Sequence, residues 1–356
     1  MVSKNDGSEV EVRARWALDC SGRSGFLARN HRRPQPGRRT LALIAMWERA
    51  GGWGLLDETH TLVESYESGW AWSVPVSATR RCIAFMVDPD LTDVSARSRL
   101  TDQYQNELHR TQRFAQLARG AEQLGRAWAC DASPYDAEAA VGQNFLLVGD
   151  AASFVDPLSS FGVKKALASA WLAAVVTNTA LTQPELRVDA SKFYQARERA
   201  MFDALQRQSG ELARAATSAH AHAFWSERSE IDGAETAAEP DINELRQDPE
   251  LMRAFERLKA QDSIELKPGR SSQRVELPVV KGNRITLATH LRSTAYPEGI
   301  RYVRAVNLVT LADLAVAHHQ VPDLYEAYQR NAQPVELPDF LGALSLLLAK
   351  GLLEYA

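Results

Sequence analysis

Apolar positions along the chain switch between two spacings, and the switches divide it into elements. Between residues 40 and 87 they form short runs, Thr40–Trp47, Leu62–Tyr66, Gly69–Val76 and Arg81–Val87, separated by turns. Consecutive short runs without intervening helices predict an antiparallel sheet. Upstream, Glu9–Leu18 alternates and predicts a strand, the second of a hairpin turning at Asn5-Asp6-Gly7. Downstream the spacing lengthens: Leu100, Tyr104, Leu108, Phe114, Leu117 and Leu124 recur at helical intervals within Asp93–Leu124. Phe145–Val148 is again a short strand, and the alanine-rich segment after Gly162 is again a helix. Ser191–Trp225 reads as one long helix and Asp232–Pro240 as a polar linker. Asp248-Pro249-Glu250 then opens a helix through Leu258 or Lys259, with proline at its first position.

From Ser263 onward the elements shorten. Val275–Val280, Arg284–Leu287 and Arg301–Arg304 are strand candidates, followed by helices near Leu308–Ala317, Pro322–Asn331 and Leu337–Leu348 and an apolar strand after Lys350-Gly351. The order resembles a small winged-helix-like module. A DNA reader needs a basic face, whereas residues 331–356 set Glu336, Asp339 and Glu354 against Lys350 alone. The module is therefore expected to pack on the rest of the chain or to dock a protein partner. His318 and His319 follow a helix end and are expected to cap it.

Composition narrows the classes without choosing among them. The 356 residues are 45% apolar and 24% charged, values of a globular chain long enough for two or three domains. A net charge of −4 gives no reason to expect nucleic acid as a partner. Cys20, Cys82 and Cys130 are odd in number and widely spaced, which predicts reduced, mostly buried thiols rather than a disulfide framework or a zinc site. His220 and His222 lie two apart and do not share a helix face, so no metal pair is expected. The polar N-terminus and the lack of an 18-residue apolar run predict a cytoplasmic protein with no membrane span.

The chemistry concentrates in Asn144–Ala174. Here a strand ends in Gly149-Asp150, small residues follow, and Asp156-Pro157 and Ser159-Ser160-Phe161-Gly162 lead into the helix. A carboxylate on a sharp turn, beside a helix N-terminus with unpaired N–H groups, can hold a sugar hydroxyl and an anionic group together. Gly149, Asp150, Ala151, Ala152, Asp156, Pro157, Gly162 and Val163 fit the pattern G-D-A-A-x-x-x-D-P-x-x-x-x-G-V. This resembles the second flavin motif of the FAD-dependent monooxygenase superfamily, most closely its branch of flavin-dependent (tryptophan) halogenases and geranylgeranyl-reductase-like oxidoreductases. Earlier, a strand runs into Asp19-Cys20-Ser21-Gly22-Arg23-Ser24-Gly25. This resembles the superfamily's middle motif, with Ser21 where aromatic hydroxylases carry aspartate. Gly69-Trp70-Ala71-Trp72-Ser73-Val74-Pro75 resembles the W-x-W-x-I-P motif of the halogenases, and strand alternation sets Trp70 and Trp72 on one face. Non-halogenating relatives carry similar segments, and two packed core tryptophans are the alternative reading.

The resemblance implies an α/β fold plus helices: an incomplete FAD-binding Rossmann-like domain at 1–30 and 131–185, an inserted antiparallel substrate sheet at 31–130, a helical region at 186–262, and the C-terminal module at 263–356. It implies FAD held by Asp19, Gly22, Gly149, Asp150, Ala151, Pro157, Gly162 and Val163. In that reading Asp150 faces the ribityl chain, Pro157 the isoalloxazine ring, and the helix N-terminus the N1/C2 oxygen region. It implies a substrate pocket at Trp70, Trp72 and Pro75, with Trp128 and Tyr135 as further candidates, and no catalytic residue is assigned. The implied function is a monooxygenase working through a flavin C4a-hydroperoxide on an indole or phenol, free or bound to a peptide or carrier. The alternatives are a halogenase, an isoprenoid reductase and a non-catalytic binding protein. No NAD(P)H site is visible, so a separate flavin reductase is the expected electron source. Lys164 and Lys165 are expected to face solvent or a phosphate. A dinucleotide fold should open with G-x-G-x-x-G, yet Gly51-Gly52-Trp53-Gly54 has the wrong spacing and only 18 residues precede Asp19. The N-terminal part of the flavin domain, at least one βαβ unit of ~30 residues, is therefore expected to lie outside this chain.

Overall fold

The computed structural model describes residues 2–3, 7–29, 31–35, 38–92, 99–230 and 248–356. Asn5-Asp6 of the predicted hairpin turn, the start of the predicted Asp93–Leu124 helix and the Asp232–Pro240 linker lie outside the described residues. The chain divides into two compact units, Met1–Leu181 with Ser191–Ala234, and Thr182–Ala190 with Glu235–Ala356.

The first unit opens with short strands β1 (Val2–Ser3), β2 (Glu9–Val10), β3 (Ala17–Asp19) and β4 (Arg32–Pro34). The predicted Glu9–Leu18 strand is thus two pieces: β2 pairs with β1, β3 pairs elsewhere, and residues 11–15 between them are exposed. The main sheet follows: β5 (Leu41–Glu48), β6 (Leu62–Tyr66), β7 (Gly69–Pro75), β8 (Arg80–Val87) and β9 (Glu122–Asp131), antiparallel in the order β6-β7-β8-β5-β9. Four of these strands are the predicted apolar runs. The fifth overturns a prediction, because the helical region ends as α1 (Leu100–Arg110) and α2 (Arg113–Leu117), and Leu124 belongs to β9. Gly120 at φ +75° and Gly125 at φ +72° interrupt the helical spacing. β9 is an edge strand whose register shifts opposite Ile44–Met46, so it carries no clean alternation.

Helices cover both faces of this sheet, which is why its central strands are apolar throughout rather than alternating. Leu43, Trp47, Ile83 and Phe85 pack against Tyr104 and Leu108 of α1 and Phe114 of α2. Ala42, Trp70, Ala84 and Met86 face Ala213, Phe224 and Trp225. The latter three sit on two helices, α4 (Arg187–Thr217) and α5 (Ala223–Ser229), where one helix was predicted. The Thr217 and Ser218 hydroxyls donate back to the Arg214 and Ala215 carbonyls, and the His222 side chain accepts from the Phe224 N–H to cap α5. Small strands β10 (Tyr135–Ala137) and β12 (Ser153–Phe154) flank one another beside β4, β11 (Phe145–Leu147) pairs with β3, and α3 (Gly162–Thr182) follows.

The second unit holds α6 (Pro249–Lys259), the hairpin of β14 (Gln273–Lys281) and β15 (Arg284–Arg292), and helices α7 (Leu308–Ala317), α8 (Val321–Asn331) and α9 (Leu337–Ala349). The end strand β18 (Leu353–Tyr355) pairs with β13 (Leu266–Pro268), and β16 (Tyr302–Val303) with β17 (Val306–Asn307). Its core gathers Leu308, Leu311, Leu324, Tyr328, Phe340 and Leu344, all fully buried. Asp248 caps α6 by accepting from the Glu250 N–H at 2.8 Å, and Asn307 caps α7. Among the described residues no helix is long and apolar enough to cross a membrane and no His/Cys/Asp/Glu cluster could hold a metal. Cys20 and Cys130 are exposed rather than buried, and Cys82 is half-buried.

Candidate functional site

β3 and β11 form a parallel pair with Leu147 opposite Asp19, and the Val148 N–H donates to the Asp19 carbonyl at 3.0 Å. Two tight turns, Gly22–Ser24 and Gly149–Ala151, therefore leave neighbouring strands at their carboxyl ends and lie against each other. Ligands of open parallel sheets sit at this end. Both turns begin on a glycine at positive φ, +63° at Gly22 and +61° at Gly149, and a Cβ at Gly149 would stand 3.1 Å from the Ala166 Cβ. The Asp19 carboxylate folds into its own loop. One oxygen accepts from the Ser21 N–H and hydroxyl and the other from the Leu27 N–H at 2.7 Å. Burial pushes this carboxyl up, but the bonds from Ser21, Leu27 and Ala28 outweigh it and hold it below the usual range.

Side chains from α3 and α4 grip the second turn from beneath. The Tyr194 hydroxyl donates to the Leu147 carbonyl at 2.8 Å, so the Ser169 hydroxyl gives its proton to Tyr194 at 3.0 Å and accepts from the Gly149 N–H at 2.8 Å. The Lys165 ammonium donates to the Gly149 carbonyl at 3.0 Å and to the Ser153 carbonyl, and lies 3.8 Å from the Asp150 carboxylate. Lys165 is 2% exposed, which corrects the expectation of a solvent-facing lysine; Lys164 does face solvent. The two are alike in sequence, but only Lys165 shares a helix face with Ser169, Leu172 and Val176. Burial lowers the Lys165 pKa, with Asp150 and Glu198 opposing the shift. From the other side the Tyr135 hydroxyl donates to the Asp150 carbonyl at 2.7 Å, and Tyr135 stacks on Phe154. Arg23 lies over the Phe154 ring and Arg32 over the Tyr135 ring, at 4.2 and 4.3 Å, each with its Nε buried and without a partner.

What the turn presents outward is the Asp150 side chain, 31% exposed. Ala151 is fully buried and offers only backbone. Beyond it the Asp156 carboxylate accepts from the Leu158 N–H at 2.9 Å and caps a short turn that starts at Pro157. Gly162 and Val163 then open α3 on the surface, where the first N–H groups of the helix have no intrahelical partner.

Trp70 and Trp72 share a sheet face as predicted, packed with Phe224, Trp225 and Leu158. Trp70 lines a cavity with Asp156, Gln206, Ser209, Phe224 and Arg228. Pro75 ends β7 opposite Arg81, away from that cavity, and Trp128 is 41% exposed on β9. Burial raises the Asp156 pKa, offset in part by the Leu158 N–H and Arg228. The Trp70 Nε1, Gln206 Oε1 and Ser209 Oγ are buried without partners. Gln206, Ser209 and Tyr194 escaped the sequence reading and Lys165 was misplaced by it, since each is one polar residue in a helix and its direction depends on packing.

The family profile described as tryptophan halogenase matches residues 1–266. The chain belongs to the tryptophan halogenase family. Its relatives include the flavin-dependent halogenase armH1 of Armillaria mellea, 28% identical over 194 residues, covering 48% of this chain and 37% of that one. A tryptophan 2-halogenase of Chondromyces crocatus is 26% identical, over 53% of this chain and 37% of that one. The chain thus spans well under two thirds of these relatives' length. Among solved structures, the flavin-dependent halogenase CmlS matches 98% of this chain and 70% of its own at a TM-score of 0.70 and 19% identity. The peptidyl tryptophan dihydroxylase QhpG matches 98% and 71% at 0.63 and 21%. At these identities the likeness shows the fold, including that of the C-terminal unit. The family is one of flavin-dependent, oxidoreductase-type enzymes that use FAD, and the Rossmann-like fold expected from the two turn motifs is the fold found.

Proposed function

We propose that this chain supplies the ribityl- and ring-facing part of an FAD site and takes part in the oxidation of an aromatic substrate, an indole or phenol that is free or attached to a peptide or carrier. The observation that carries this reading is the pair of glycine turns at the carboxyl ends of adjacent parallel strands, with Asp150 one-third exposed beside the start of α3. Asp150 accepts hydrogen bonds from the ribityl hydroxyls, and the free N–H groups at Gly162 and Val163 stabilise negative charge on the ring. The unpartnered Nε of Arg23 and the open space beside Gly22 suit a phosphate. Asp19 holds the Gly22 turn in shape. Bound and reduced, FAD supplies the dioxygen activation. Trp70 and Trp72 wall the substrate side, and a separate flavin reductase provides electrons.

Halogenation is the second reading, favoured by the family profile and by relatives that are named as halogenases. Titrating the purified chain with FAD and following flavin fluorescence tests the cofactor site. Saturable quenching that Asp150→Ala weakens at least ~10-fold is expected; equal binding by both proteins overturns the assignment. Product analysis with and without bromide, in the presence of a flavin reductase, separates hydroxylation from halogenation.

A further inference from the structure

We propose that Lys165 is a positioning residue for Asp150: its buried ammonium pins both ends of the Gly149–Ser153 turn and supplies the counter-charge that orients the Asp150 carboxylate. The proposal rests on the flavin reading above, but its first test does not. An ammonium that is 2% exposed has lost its water and keeps its charge only through fixed partners. Lys165 has three donors. Two go to the Gly149 and Ser153 carbonyls, which bracket the turn, and the Asp150 carboxylate is within 3.8 Å of the same nitrogen. The backbone beneath Asp150 is already held by neutral groups, Ser169 at the Gly149 N–H and Tyr194 at the Leu147 carbonyl. What Lys165 adds is charge placed under one particular side chain. A second carboxylate, Glu198 on α4, is 7% exposed with one oxygen unpartnered, and its charge also acts on the Lys165 ammonium without an ion pair to it.

Asp150 is partly exposed, so its removal leaves the packing intact, and that makes the pair testable. With the lysine side chains isotopically labelled, the Lys165 titration is followed by NMR in the parent, Asp150→Asn and Glu198→Gln. Asp150→Asn is expected to move the Lys165 midpoint down by about one pH unit. No movement, or movement only in Glu198→Gln, overturns the proposal whether or not FAD binds. The second arm measures FAD affinity in Lys165→Gln, which keeps two N–H donors and loses the charge, alone and combined with Asp150→Asn. Lys165→Gln is expected to bind FAD about tenfold more weakly, and the double variant no more weakly than Asp150→Asn alone. Losses that add overturn the proposal in favour of a purely structural lysine. If the midpoint moves but the parent binds no flavin, the flavin reading fails and the positioning role stands.

Discussion

The two faces of the five-stranded sheet are both aromatic and both covered by helices, yet they differ in how their strand-borne polar atoms are satisfied. Facing α1, the Trp47 indole donates to the Tyr104 hydroxyl at 2.8 Å, Tyr104 donates to the Ile83 carbonyl, and the Tyr66 hydroxyl donates to Glu107 at 2.6 Å. Only the loop residue Trp53 leaves an indole nitrogen unpaired in that cluster. Facing α4 and α5, both Trp70 and Trp72 leave theirs unpaired, and Gln206 and Ser209 do the same around the cavity. Buried polar atoms cost stability unless bonded. The α1 face is therefore built for stability, whereas the other face keeps donors and acceptors free beside the Asp156–Leu158 loop.

Substitutions can break or sharpen this contrast. The largest effect belongs to Arg228, whose guanidinium bonds Asp88 at 3.2 Å and the Arg39 and Phe224 carbonyls while buried. Arg228→Met strands the buried Asp88 charge, and denaturant unfolding should show a loss of about 3–5 kcal/mol. Next is Glu107→Leu, which leaves the Tyr66 hydroxyl without its acceptor; a loss of about 2 kcal/mol is expected. A matched pair then isolates the contrast itself. Trp47→Phe and Trp70→Phe remove similar volume from buried positions, but only the first removes a made hydrogen bond. The first should cost about 1 kcal/mol more than the second, and equal losses would contradict the distinction between the faces.

The smallest effects are pH-dependent and opposite in sign. The Asp19 pKa is lowered in the folded chain, so its contribution is present above the ordinary carboxylate range and is lost as pH falls through the folded value. The Asp156 pKa is raised, so its contribution is full below that range and is lost as pH rises through the folded value. Thermal melts of Asp19→Asn should therefore fall below the parent at neutral pH and converge with it in acid. Melts of Asp156→Asn should match or exceed the parent at neutral pH and lose that advantage in acid.

Much of the site was legible because its chemistry is local. Gly149-Asp150 with Asp156-Pro157 and Gly162 marks a strand, a turn and a helix start within 15 residues, and each residue type is required by backbone geometry at that point. The central strands were legible for a similar reason, since burial on both faces leaves uninterrupted apolar runs. β9 was not, because an edge strand with a bulge carries too little pattern, and the break between α4 and α5 rests on hydroxyls that also occur inside helices.

By itself, then, the sequence determined the strand–turn–helix at Gly149, the paired tryptophans of β7, the helix start at Asp248-Pro249, and a family resemblance that the profile match upholds. The resemblance grouped Asp19 with Asp150, but only the tertiary structure showed how they meet across more than a hundred residues of intervening chain, by the parallel pairing of β3 with β11, because strand pairing depends on register between distant segments. Only it decided which of two adjacent lysines is buried. Neighbouring residues on a helix point in directions about 100° apart, and packing against the turn, rather than composition, selected Lys165 as the charge beneath the candidate site.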